Sequence, residues 1–217
     1  MNSLLKVSLI DCTPIEAVKK AVAIPYQSPE SEELVGRVWD SGHRSIARHG
    51  MASFLVEGVS QSLLRQLSRH PHINLTVKSS RYCDQEDTLC VVPPFLAWED
   101  RMDYSRDVNQ IMALYDRWNK REGYTKEQNR ELAKMMMPLS ITTDLVVSGN
   151  FQALYEFLQL RICKRAEWEI REMACEMAEI LKDQMPVIFA GLGCKGDDLG
   201  YCPEGFGACG KYPKRAA

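Results

Sequence analysis

The stretch MASFLVEGVSQSLLRQLSRHPHINLTVKSSRY, residues 51–82, changes its hydrophobic period partway along. Residues 51–60 alternate apolar and polar types, the period-two pattern of a half-buried strand. From residue 60 to 70, Leu63, Leu64 and Leu67 fall on one helical face, and Arg65, Gln66 and Arg69 lie on or near the other. Pro71 ends that helix and opens a polar loop. A strand running directly into a helix and then into a basic loop points to mixed α and β structure.

The basic residues of this region are Arg65, Arg69, His70, His72, Lys78 and Arg81, with Ser79 and Ser80 between the last two. Guanidinium forks and hydroxyl donors in one loop suit an anionic ligand such as a monophosphate. Composition by itself leaves a solvated loop as the commoner explanation.

Outward from this segment, residues 4–11 read as a first strand and 14–22 as a helix stopped near Pro25. SPESEELVGRVWDSG reads as a helix capped by Ser28, with Pro29 in its first turn and Gly42 at its end. LCVVPPFL (89–96) reads as a short extended piece. Residues 97–121 and 125–137 read as two helices, the second capped by Thr125 and stopped by Pro138. TTDLVVSG reads as a strand or a buried link, and 150–186 as strongly helical with a break near Cys163 to Arg165. The predicted class is α+β, a small mixed or antiparallel sheet with long helices. Two segments are expected: a domain over 1–191 and a Gly/Cys-rich tail over 192–217.

The totals fit one globular domain: 217 residues, 45% hydrophobic and 26% charged. A net charge of −2 argues against a general nucleic-acid partner, so any basic site is local. No apolar run approaches the ~20 residues that span a bilayer, and no signal-peptide pattern opens the chain, so a cytoplasmic protein without a membrane partner is expected.

All four histidines lie between residues 43 and 72, but no carboxylate or cysteine stands at metal-ligand spacing and no HExxH occurs. Histidines with satisfied hydrogen bonds are the plainer reading, and no metal is assigned. Eight free thiols are expected. Cys194, Cys202 and Cys209 leave three options open: a reduced extension, a zinc site completed from elsewhere, or a disulfide. On the C-terminal helix Arg161 and Arg165 stand four residues apart and can face one ligand, although a solvated face is the simpler account.

Several separated blocks together resemble the flavin-dependent thymidylate synthases. GHRSIARHG (42–50) and SFLVEGVSQSLLRQLSRH (53–70) are similar to that family's Gly-His-x-Ser segment and its entry into the signature. The signature is Arg-His-Arg, seven residues, Ser, then Arg-Tyr; here Arg69-His70-Pro71 is followed after seven residues by Ser79-Ser80-Arg81-Tyr82. ELAKMMMPLS, GNFQALYEFLQLR and AEWEIRE resemble later blocks in the same order.

The resemblance implies the family's fold, a homotetramer, and FAD and a deoxypyrimidine monophosphate bound at subunit interfaces. It implies reduction of the flavin by NADPH and transfer of a one-carbon unit from methylenetetrahydrofolate, a folate, to C5 of dUMP. It assigns Arg161, Gln66 and Ser79 to catalysis. Nucleotide binding falls to Gln66, Arg69, Ser79, Ser80, Arg81, Lys134 and Arg161. Flavin binding falls to His49, Arg69, His70, His72, Asn74, Thr76, Asn150, Gln152, Glu156 and Arg165.

The departures are local. Pro71 replaces the second signature Arg and removes a charge and a backbone donor. Asn74, Thr76 and Val77 stand where Ser, Asn and Glu are usual; Gln152 and Lys134 stand where Arg is usual, and Arg165 where His is usual. Thymidylate synthesis from dUMP is the expected activity. The alternatives are a paralogue that methylates or hydroxymethylates dCMP or dUMP for modified, phage-type DNA, and a nucleotide-binding protein without catalysis.

Overall fold

The computed structural model describes residues 4–83, 85 and 88–215. Four strands, β1 (Lys6–Cys12), β2 (Met51–Ser60), β3 (Asn74–Val77) and β4 (Thr142–Asn150), form one antiparallel sheet in the order β1-β2-β4-β3. The helices are α1 (Ile15–Tyr26), α2 (Glu32–Asp40), α3 (Gln61–Leu67), α4 (Trp98–Asn119), α5 (Lys126–Ala133), α6 (Phe151–Arg161), α7 (Trp168–Gln184), α8 (Pro186–Phe189) and α9 (Lys195–Leu199). The α+β class read from the sequence is the observed one. Among the described residues, no helix is long and apolar enough to cross a membrane.

The chain divides into two compact units. The first contains Val56–Leu67 and Thr76–Leu145, with the N-terminal residues up to Lys6. Its core includes Val59, Leu63, Leu67, Tyr115 and Ile141. The helix α4 packs on α5, and α5 opens with a capping box in which Thr125 accepts from the Gln128 backbone while the Gln128 side chain accepts from Thr125.

Along β2 the buried positions run Ala52, Phe54, Val56 and then shift phase to Val59. The shift falls at Gly58, which has φ 69° and whose N–H donates to Asp144 Oδ1 at 3.0 Å. One extra residue in a strand with a left-handed glycine is the signature of a β-bulge. A Cβ at this position would lie 2.0 Å from the Leu4 carbonyl oxygen.

The second unit contains Val7–Leu55, Ser68–Leu75 and the chain from Val146 onward. Here α6 packs on α7, α7 on α8, and α1 on α2. The buried face of α7 repeats at Ile170, Met173, Ala174, Met177 and Leu181, the three- and four-residue spacing of an amphipathic helix. β4 passes directly into α6, where the Asn150 side chain caps the helix by accepting from Ala153 N at 2.9 Å. Gly50 O accepts from Phe151 N at 2.9 Å, and a Cβ on Gly50 would lie 2.1 Å from the Phe151 ring.

Some boundaries differ from the sequence reading. α2 is capped by Ser31, which accepts from Leu34 N, whereas Ser28 turns back to the Tyr26 carbonyl. Gln27, left-handed at φ 46°, terminates α1, so residues 28–30 form the link between helices. Pro25 sits inside α1, one residue from its end, where few helical bonds remain to be lost. The helix expected over 125–137 is α5 followed by a 3₁₀ turn at Lys134–Met136. Part of the polar loop is the short strand β3, whose Leu75 and Val77 are only half-buried and so give little hydrophobic signal. The break expected near Cys163 is real: α6 ends at Arg161 and α7 begins at Trp168.

Replacing Gly58 with Ala should destabilise the protein by roughly 1–3 kcal/mol, because it strains the left-handed backbone and crowds Leu4. Urea denaturation with an unchanged m-value would report this loss.

Candidate functional site

In the second unit, Arg161 lies at the last position of α6, half-buried. Its Nε–H donates to His70 Nε2 at 2.7 Å. An accepting Nε2 leaves the imidazole proton on Nδ1. The His70 ring also packs edge-on against Phe157, with centroids 4.8 Å apart. Burial, reinforced by the positive charges of Arg161 and Arg69, lowers the His70 pKa from 6.5 to about 4. The imidazole is therefore neutral at pH 7 and serves as an acceptor rather than a competing cation. Burial and Arg69 likewise lower the pKa of Arg161.

These two side chains face a cavity of about 300 Å³. Its walls come from the end of α6, from the link that follows it, including Cys163, Arg165 and Ala166, and from tail residues such as Cys194, Lys195 and Glu204. Arg165 forms an ion pair with Glu204. A second tail carboxylate, Asp198, accepts from Arg44 at 2.6 Å, from the Tyr155 hydroxyl at 3.1 Å and from Gln159 Nε2 at 2.6 Å. Burial and this carboxylate push the Tyr155 hydroxyl pKa up to about 12. Asp197 accepts from Lys211, Tyr212 and the Cys194 N–H, and these contacts hold its pKa well below the usual carboxylate range. All eight cysteines are free thiols.

A second cavity in this unit, about 320 Å³, is lined by Arg48, His72, Asn150, Gln152, Ala153 and Glu156. Arg48 Nε donates to Gln152 Oε1 at 2.7 Å, and Gln152 Nε2 donates to Glu156 Oε1 at 2.8 Å. His72 holds a left-handed backbone at φ 65°, which is uncommon outside glycine and marks a constrained turn after Pro71. His49, Arg69 and Asn74 are exposed in the same unit but do not line either cavity.

The first unit holds the remaining predicted residues. Ser79 Oγ accepts from Arg81 N at 3.2 Å, and Ser79 O accepts from Cys83 N at 2.9 Å, so this serine shapes the turn. Arg81 Nε lies 3.5 Å from Glu131, and its guanidinium stands 5.7 Å from the Tyr82 ring centre. Thr76 is exposed on β3, and Gln66 is half-buried in α3. Ser80 and Lys134 line a cavity of about 170 Å³ together with Gln61, Arg65, Pro138 and Leu139.

Most residues predicted to bind nucleotide thus fall in the first unit and most predicted to bind flavin in the second. Arg69 and Arg161 are nucleotide assignments in the second unit, and Thr76 is a flavin assignment in the first. Sequence reasoning missed Arg48, one residue before the assigned His49. It also missed the buried Tyr155 and Gln159, whose partner Asp198 lies some forty residues away in the chain.

Residues 8–187 match the family described as Thymidylate synthase complementing protein. A flavin-dependent thymidylate synthase of Nitratidesulfovibrio vulgaris is 35% identical over 192 residues, covering 84% of this chain and 77% of that protein. Proteins of the same description from Thermococcus onnurineus and Geobacter sulfurreducens are 34% and 32% identical, covering 94% and 95% of this chain and 91% and 94% of their own lengths. The chain belongs to the thymidylate synthase complementing protein family.

Between pH 6.5 and about 4 the unfolded chain binds a proton at His70 that the folded chain does not. Folded stability should fall as pH drops through that window, and His70→Gln should flatten the dependence. NMR titration should place the wild-type His70 pKa near 4. Separately, Asp198→Ala strands the donors of Tyr155 and Gln159 and should cost about 1–3 kcal/mol in chemical denaturation.

Proposed function

We propose that this protein is a flavin-dependent thymidylate synthase that converts dUMP to dTMP. Methylenetetrahydrofolate supplies the one-carbon unit, NADPH the reducing equivalents, and the working form is a homotetramer. The observation that carries this reading is the Arg161 guanidinium, held on a cavity wall by an unprotonated His70, in a chain that belongs to this family.

The residues present fit a flavin nucleotide. Arg48 brings a cation to the second-unit cavity for phosphate oxygens, and Asn150, Gln152 and Glu156 bring amide and carboxylate groups suited to hydroxyls. His49, Arg69, His72, Asn74 and Thr76 are proposed as further flavin contacts. When bound, the flavin supplies the hydride and carbon-transfer chemistry.

The protein's part is electrostatic. A guanidinium against the carbonyl and N3 edge of a pyrimidine stabilises negative charge there and so raises the nucleophilicity of C5. Arg161 is assigned that role, which requires no nucleophilic cysteine. His70 fixes the plane of the guanidinium through Nε and, being neutral, adds no repulsive charge. Gln66, Ser79, Ser80, Arg81 and Lys134 are assigned to the nucleotide. In this reading residues 1–191 carry catalysis, and the tail from 192 closes one wall of the Arg161 cavity.

Purified protein incubated with FAD, NADPH and methylenetetrahydrofolate should turn dUMP into thymidylate by mass spectrometry and leave dCMP unchanged. A hydroxymethylated product, or product from dCMP alone, would refute the assignment. Arg161→Ala should lower turnover by roughly 10²- to 10³-fold while the far-ultraviolet circular dichroism stays native.

A further inference from the structure

The cavity beside Arg161 carries sulfur on two of its walls. Cys163, in the link between α6 and α7, and Cys202, in the tail, both line it. Each stands two residues before one partner of the Arg165–Glu204 ion pair, so that pair holds the two cysteine-bearing segments against each other. The tail segment is tied on its other side as well, where Cys202 N donates to Pro213 O at 2.7 Å. Cys194 lines the same cavity, but burial and Asp197 raise its pKa and keep that thiol protonated near neutral pH. Cys163 and Cys202 are half-buried, open to a small solute through the cavity they line. The chemistry assigned to Arg161 uses neither. Among the described residues, no three His, Cys, Asp or Glu side chains are grouped so as to hold a metal ion, so these walls offer thiol chemistry.

We infer that Cys163 and Cys202 are a dithiol pair that closes to a disulfide, a modification site that locks the tail across the Arg161 cavity. The oxidant it takes is a peroxide. One sulfur, as thiolate, attacks a peroxide oxygen and the O–O bond breaks. The departing hydroxide takes up the proton that this thiol shed, leaving water and a sulfenic acid. The second sulfur, as thiolate, displaces hydroxide from the first, and that hydroxide leaves with the second thiol's proton as another water. Two thiols and one hydrogen peroxide thus give one disulfide and two waters. A disulfide holds its Cβ atoms roughly 4 Å apart. Closure therefore draws Cys202 and Glu204 toward the end of α6 and narrows the cavity between them. The tail yields in preference to the helix, because residues 201–215 are irregular while α6 is packed on α7. The loss of turnover that follows rests on the reading that Arg161 acts on the substrate pyrimidine; the disulfide itself does not.

The test treats the FAD-loaded full-length protein with hydrogen peroxide, removes the excess with catalase, then alkylates and digests it without reductant. Mass spectrometry should find a peptide joining Cys163 to Cys202, matched by a loss of titratable thiols. Turnover of dUMP should fall about tenfold or more and return with dithiothreitol. Cys163→Ser and Cys202→Ser should each keep the reduced protein's turnover within about twofold and abolish its loss under peroxide. Cys209→Ser, at an exposed tail thiol that does not line the cavity, should respond like wild type. A cross-link between other cysteines, or none, would overturn the inference. So would a Cys163–Cys202 cross-link that leaves turnover unchanged, or inactivation that persists in both cavity variants. The cross-link in a protein that does not turn over dUMP would keep the thiol pair and reject the dUMP reading.

Discussion

The hydrogen bond from Arg161 to His70 ties together features that are far apart in the sequence. Ninety-one residues separate the donor from the acceptor. The bond requires an imidazole without a proton on Nε2, and the local charges enforce that state. Partial burial against Phe157 disfavours a third cation, and the charges of Arg161 and Arg69 disfavour it further. The arginine thus maintains the acceptor that orients it. A protonated His70 would lose the acceptor and repel the guanidinium, so orientation and protonation state are one constraint.

Placing that pair depends on the junction of β4 with α6. Alternating burial in β4 fixes the direction in which the chain enters the helix, and Asn150 satisfies the orphan amide of Ala153 in the first turn. Gly50 lets the Phe151 ring approach the backbone closely. From there Leu154, Phe157 and Leu158 bury one side of α6, and Arg161 arrives at its last position, half-exposed. The tail then returns to the same helix through Asp198, which reaches Tyr155 and Gln159. A carboxylate with three donors, one of them a guanidinium stacked near the Trp39 and Tyr155 rings, is a firmer clasp than an exposed ion pair.

What was legible in the sequence follows the length and period of each element. β2, α4, α6 and α7 have enough residues for a hydrophobic period to declare itself, and each was anticipated. β3 has four residues and two half-buried side chains, so its strand character comes from pairing in the sheet rather than from its own pattern. Ser28 and Ser31 are both acceptable caps, and only the left-handed Gln27 decides between them. The cation positions Arg69, Arg81 and Arg161 could be named from motif spacing. Motif spacing could not show that Arg81 would lie beside Glu131, or that the glycine- and cysteine-rich tail would fold onto Arg44. Those are long-range electrostatic choices, made after the backbone has placed the partners.

The altered signature also looks different once the side chains are placed. Pro71 and Gln152 each stand where an arginine would be expected, which on paper strips positive charge from the side proposed to hold the flavin. In the folded unit Gln152 instead accepts a hydrogen bond from Arg48, so the cavity lined by His72, Asn150 and Gln152 retains a guanidinium, supplied from a different element. The glutamine passes the interaction on to Glu156 through its amide, giving an ordered chain of cation, amide and carboxylate. Charge at a site is a property of the cavity, not of a sequence position, because a long arginine side chain reaches several ångströms from its backbone. In a cavity so built, a lost signature arginine changes which backbone carries the charge before it changes what the site can bind.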